Sequence, residues 1–228
     1  MGLFLWNHGN AREENIFEEE GILLTTTKSN NTMSAARKIT VTAIMTAIAV
    51  VLQYIEFSVP FVPAFLKLDF SDLPALLTSF ALGPVYGVLV ELLKNLIHLP
   101  VSGSMMIGEL SNFLLGAFFV FPAGLVYQND KSKKGALVGS LAGALAMALA
   151  SMPINYWIVY PLYGKFMNLS TEIILGMYQA ILPSVKTLPQ ALAIFNIPFT
   201  FVKGMIDVLL TFLVYKRISP IIKGTAKG

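Results

Sequence analysis

The sequence predicts an all-α membrane protein, a six-transmembrane-helix bundle, on three observations. Hydrophobic residues fill 55% of 228 positions against 13% charged, and the mean hydropathy is +0.69, well beyond what a water-exposed surface allows. Apolar runs near membrane-crossing length follow one another closely from Ile39 onward. The three basic clusters fall in alternate connections, which is the distribution that the positive-inside rule produces. The chain has length for one such domain and no room for a second globular one.

Residues 1–33 differ from the rest. Glu13, Glu14 and Glu18 to Glu20 supply five of the 13 acidic residues, and a polar tract without period follows them. Such a segment buries too little apolar surface to fold, so it is expected to be a disordered or non-native extension ahead of a membrane domain over residues 34–228. Residues 39–55 form the first expected span, 70–82 a short second ended by Gly83-Pro84, and 85–99 the third. Residues 107–127, 136–159 and 192–215 complete the six.

Arg37 and Lys38 precede the first span, Lys131, Lys133 and Lys134 lie between the fourth and fifth, and Lys216, Arg217, Lys223 and Lys227 follow the sixth. Six crossings bring all three clusters to one side, so both termini are expected in the cytoplasm and residues 56–68, 100–106 and 161–189 outside.

The predicted outer half collects the polar side chains. Asp69 and Asp72 stand one turn apart at the start of the second span, and Glu91, Lys94 and Asn95 lie near the outer end of the third. Glu109 and Asn112 open the fourth, Asn155 lies in the fifth, and Lys203 and Asp207 are four residues apart in the sixth. A charge at membrane depth costs a few kcal/mol, roughly 3 on insertion scales, so such groups mark either a functional cavity or mutually neutralising pairs. The pairs expected on spacing are Glu91 with Lys94 and Lys203 with Asp207. Phe57, Phe61 and Phe65, with Pro60 and Pro63, make the first outer loop a stiff aromatic cover, and Tyr156, Trp157, Tyr160 and Tyr163 extend the belt. In the first span, Ala36, Thr40, Ala43 and Ala47 form a stripe of small residues that lets a helix approach closely, either within the bundle or from a second membrane protein.

Several chemistries are excluded or disfavoured. The sequence has no phosphate-binding G-x-x-x-x-G-K-[ST] loop and no H-E-x-x-H, and its two histidines, His8 and His98, lie far apart. Without cysteine there is no disulfide and no thiolate metal site, and a net charge of +3 is too small to suggest nucleic acid. Ser71 beside Asp72 reads as a helix start whose hydroxyl caps the backbone. No catalytic and no metal-ligating residue is assigned. The chain reads as a binding unit without a motor.

The segments Leu68 to Pro74, Phe80 to Gly87, Leu93 to Leu96, Asn112 to Leu114, Asn155-Tyr156, Tyr160 to Gly164, Ile197 to Phe199 and Lys203-Gly204 resemble, in order and spacing, the riboflavin-specific S component of energy-coupling factor (ECF) transporters. The likeness runs from about Ala35 to Lys223. It implies a six-helix subunit that captures riboflavin from outside. Transport would depend on a transmembrane coupling subunit (EcfT type) and two ATPase subunits (EcfA type), in a bacterial cytoplasmic membrane. No catalytic cofactor is implied, and ATP is used by the partner subunits only. By resemblance, Asn155 and Lys203 hydrogen-bond the flavin ring, Leu68 and Asp69 border the ribityl side, and Lys94, Asn95 and Asn112 belong to the polar wall. Thr200 stands where the resemblance leads one to expect asparagine. Ala43 and Ala47 match the docking motif for the coupling subunit. The alternatives are an S component for another vitamin or a flavin nucleotide, or a membrane-embedded enzyme that uses Asp69, Asp72 or Glu109 as acid and base.

Overall fold

The structure is a computed structural model describing residues 33–223, with side chains to residue 214. The extension expected over residues 1–33 lies, Met33 apart, outside the described residues, as does Lys227.

Helix α1 (Ala35–Gln53) buries Thr42, Met45, Thr46, Ala49 and Gln53, a stripe at helical spacing, and leaves Ala43, Ile44, Ala47 and Ile48 outward. The connection that follows is a hairpin rather than a plain extended loop. Strands β1 (Phe57–Ser58) and β2 (Lys67–Leu68) pair antiparallel with Phe57 opposite Leu68, and Lys67 pairs with Glu56 at its base.

Helices α2 (Asp72–Leu82) and α3 (Pro84–His98) are short, with 11 and 15 residues. At 1.5 Å per residue they span about 16 and 22 Å, against a hydrocarbon core of about 30 Å. Gly83 joins them at φ 110°, a conformation from which a Cβ is all but barred, and Pro84 opens the next helix with φ already set. Helix α4 (Ile107–Asn129) and helix α5 (Lys133–Ile154) pack closely because Gly139 and Gly143 sit against the Ala123 and Phe119 carbonyls.

Beyond Ile154 the helix does not stop. A wide π-helical turn, Asn155–Val159, leads into α6 (Tyr160–Met167), so the unit Lys133–Met167 runs for 35 residues, past the expected end at 159. The segment expected as a loop contains α7 (Thr171–Gln179) and α8 (Leu188–Ala191). A second π-helical turn, Leu192–Asn196, then opens α9 (Ile197–Lys223). Each wide turn is followed by a proline, Pro161 or Pro198, which has no N–H to return to the helix ladder.

Among the described residues, four helical stretches are long and apolar enough to cross a membrane: Ala35–Gln53, Ile107–Asn129, Lys133–Met167 and Leu188–Val214. The expected second and third spans are the two short helices, α2 and α3. Two apolar cores fill the bundle. One gathers Ala49, Leu76, Val90, Phe119, Val120 and Val208, and the other Ile154, Ile174, Tyr178, Val185 and Leu192.

Candidate functional site

The site begins where the chain lacks side chains. A Cβ at Gly116 of α4 would fall 2.3 Å from Glu91 Oε2, so only glycine there lets Glu91 of α3 reach inward. A Cβ at Gly204 would lie 2.9 Å from Met147 and 3.1 Å from Ala144, and this close approach seats α9 on α5 next to Lys203.

Three elements then deliver charge to one place. Lys94 Nζ of α3 lies 2.5 Å from Asp72 Oδ1, 2.7 Å from Glu91 Oε2 and 2.7 Å from Ser71 Oγ. Lys203 Nζ of α9 lies 3.0 Å from Asp69 Oδ2 and 3.1 Å from Asp72 Oδ2. Asp69 Oδ1 accepts from the Ser71 backbone at 2.8 Å and from the Ser71 hydroxyl at 2.5 Å. Asp72 thus bridges both ammonium groups, and every member is buried or nearly so, Lys203 being the most exposed at 12% of its side chain. Pairing of this kind is what keeps charges tolerable away from water.

Two expectations are corrected here. Ser71 makes no side-chain cap, because its hydroxyl is drawn to Asp69 and Lys94 instead. Lys203 does not pair with Asp207, its neighbour one turn along, but with Asp69 and Asp72 across the bundle. The Glu91 and Lys94 pair forms as expected.

The remaining predicted site residues do not join the bonds of this cluster. Leu68 lines an apolar cavity of about 380 Å³ with Val62, Phe195, Pro198, Phe199 and Val202, on the same hairpin and the same helix that supply Asp69 and Lys203. Asn95 accepts from Gln53 at 3.1 Å and donates to the Glu91 carbonyl, tying α1 to α3. Asn155 is buried in the first wide turn and donates to the Ser151 carbonyl at 2.7 Å, which leaves its amide oxygen without a hydrogen bond among the described residues. Thr200 is buried and Asn112 half-buried, and neither bonds the charged cluster. Ala43 and Ala47 are exposed on the outward face of α1.

Two networks went unread in the sequence. Tyr178 donates to Asn196 Oδ1 at 2.5 Å, Asn196 Nδ2 donates to Tyr160 at 3.1 Å, and the two phenol oxygens meet at 2.5 Å. Burial pushes the Tyr178 phenol above its ordinary value, which keeps it a neutral donor. Phe65 of the hairpin loop packs edge-on against both tyrosines, at 5.9 and 5.8 Å, fastening that loop to α7. The second network joins Glu109 to His98 at 3.0 Å and to Ser102 at 2.6 Å. A buried asparagine beside a proline-marked turn was the available signal for the first; nothing local pointed to Tyr178 as its partner.

The carboxylates of an acid–base reading do not share a site. Asp69 and Asp72 are held by Lys203, while Glu109 belongs with His98 and Ser102.

Comparison with known proteins agrees with this architecture. The chain is 34% identical over 191 residues to the riboflavin transporter RibU of Staphylococcus aureus (strain TCH60), covering 84% of this chain and 95% of that one. It is 29% identical to the riboflavin transporter FmnP of Bacillus subtilis (strain 168), over 81% and 93% of the two chains. The solved structure described as the S component of a bacterial ECF transporter superposes with a TM-score of 0.65 at 32% identity, across 83% of this chain and 99% of that one. Residues 37–215 match the family described as "ECF transporter, substrate-specific component". The chain therefore belongs to the family of substrate-specific components of ECF transporters, which are membrane transport subunits and not enzymes.

Proposed function

We propose that this chain is the riboflavin-binding S component of an ECF-type transporter, capturing riboflavin outside the cell and releasing it inside with a separate ATP-driven module. The observation that carries the reading is the 34% identity to a riboflavin transporter along 95% of that protein's length. The site's chemistry suits the ligand. The cavity beside Leu68, Phe195 and Phe199 offers apolar walls to the dimethylbenzene part of a flavin. Lys203 supplies only donors, for ring carbonyls, and the unengaged amide oxygen of Asn155 supplies an acceptor for a ring N–H. Leu68, Asp69, Lys94, Asn95, Asn112 and Thr200 complete the set around those two.

The domain crosses the bacterial cell membrane six times, with α2 and α3 as short second and third crossings buried by their neighbours and both termini in the cytoplasm. Residues 1–33 lie outside that domain. The exposed small face at Ala43 and Ala47 docks on a coupling subunit of the EcfT type, which two EcfA-type ATPases drive.

Purification tests the reading directly. The protein in detergent is expected to bind riboflavin in isothermal titration and to carry a flavin absorption spectrum when grown with the vitamin. Titration without heat or spectral change, at protein and ligand concentrations that saturate a known riboflavin binder, would sink it.

A further inference from the structure

The charged cluster does not balance. Asp69, Asp72, Glu91 and Asp207 are four carboxylates, while Lys94 and Lys203 are two ammonium groups, all within the apolar bundle. Lys203 neutralises Asp69 and Lys94 neutralises Asp72, which leaves Glu91 to share Lys94 and leaves Asp207 with none. Asp207 is fully buried one turn from Lys203, and neither of its oxygens has a hydrogen-bond partner among the described residues. Glu91 Oε1 is likewise buried and without one.

Other elements bring no relief. Over residues 39–53, 110–129 and 135–154 the sequence of α1, α4 and α5 contains no Asp, Glu, Lys, Arg or His, and Tyr127 is the one titratable side chain there. On the hairpin, Lys67 and Glu56 satisfy each other. An isolated ionised carboxylate in such a place costs several kcal/mol, of order 5, whereas a carboxylic acid costs far less.

We propose that this intramembrane cluster is a proton-binding site linked to ligand. Asp207 and Glu91 each hold a proton in the resting protein, and a ligand acceptor that draws the Lys203 ammonium away from Asp69 and Asp72 brings in one more from solvent. The balance is simple: the ammonium keeps its protons, its new partner is a neutral carbonyl oxygen, and the carboxylate that loses its counter-ion takes up H⁺. The linkage rests on the riboflavin reading above; the resting protons do not.

Two measurements on the full chain test it. Infrared spectra of the ligand-free protein are expected to show the carbonyl stretch of a buried carboxylic acid, and Asp207→Asn is expected to remove part of that band. Absence of the band overturns the resting assignment. Riboflavin titrations in two buffers of different ionisation enthalpy are expected to reveal net proton uptake, with Kd weakening towards about tenfold per pH unit from mildly acidic to neutral pH. His98 ends the helix that carries Glu91 and Lys94 and pairs with Glu109, so His98→Gln is run beside it and is expected to keep the buffer dependence.

Tight binding with no buffer dependence overturns the linkage and leaves the riboflavin reading standing. Loss of the dependence in His98→Gln, or an affinity that follows sodium concentration instead of pH, overturns it as well. If riboflavin does not bind at all, the functional reading fails and takes the linkage with it, while the infrared band still decides the resting protons.

Discussion

Lys203 Nζ lies 3.0 Å from Asp69 Oδ2 although 134 residues separate the two in the chain. This contact closes the bundle, because it joins the last long helix to the segment between the first hairpin and α2. It also sets a competition. Any ligand oxygen that uses Lys203 must share it with, or take it from, Asp69 and Asp72.

Lys203→Ala should therefore do two things at once. Riboflavin affinity by isothermal titration is expected to fall at least about tenfold, the loss of one charge-assisted hydrogen bond. Stability in thermal unfolding should fall by about 3 kcal/mol, because Asp69 and Asp72 lose a buried counter-ion. The double variant Lys203→Met with Asp69→Asn is expected to recover much of the stability and none of the binding. Recovery of binding would mean that Lys203 serves packing alone.

Ala43→Leu and Ala47→Leu address a different surface. Both alanines are exposed on the outward face of α1, while Met45, Thr46 and Ala49 face the core. Riboflavin binding and unfolding temperature should stay within error of the parent protein, and copurification with the coupling subunit should be lost. A fall in riboflavin affinity in the isolated subunit would place this face inside the binding unit and refute docking.

Gly116→Ala tests the approach of α3 to α4. The added methyl would lie 2.3 Å from Glu91 Oε2, so the carboxylate or the helix must move. A destabilisation of about 1–3 kcal/mol in thermal or denaturant unfolding is expected from overpacking. Gly176→Ala, where nothing lies within 4 Å of the added carbon, should be stabilising or neutral.

Tyr178→Phe removes one hydroxyl from a closed ring of three polar groups. Asn196 Oδ1 loses its donor and Tyr160 loses a neighbour at 2.5 Å, so the cost should be about 1–3 kcal/mol, measured by unfolding. Hydrogen exchange is expected to speed up in α7 and in the 59–66 loop, which Phe65 ties to both tyrosines. Tyr156→Phe, on an exposed ring, serves as the comparison and should change neither.

The sequence by itself determined that the chain lives in a membrane, roughly where its apolar helices lie and which residues carry charge into them, because hydropathy, glycine and proline are local properties. It also contained the ordered motifs of the S-component family, and Glu91 with Lys94, three residues apart on one helix, was legible for the same reason. The short α2 and α3, broken at Gly83-Pro84, were legible as well, whereas the continuation of α5 through Asn155–Val159 and the helix within the expected outer loop were not, since π-helical turns and short helices in a connection depend on what packs against them. Tertiary structure alone decided the partners. Spacing on α9 pointed Lys203 to Asp207, but the close seat of Gly204 on α5 and the hairpin before α2 bring Asp69 and Asp72 nearer, and Coulomb attraction follows distance in space rather than in sequence.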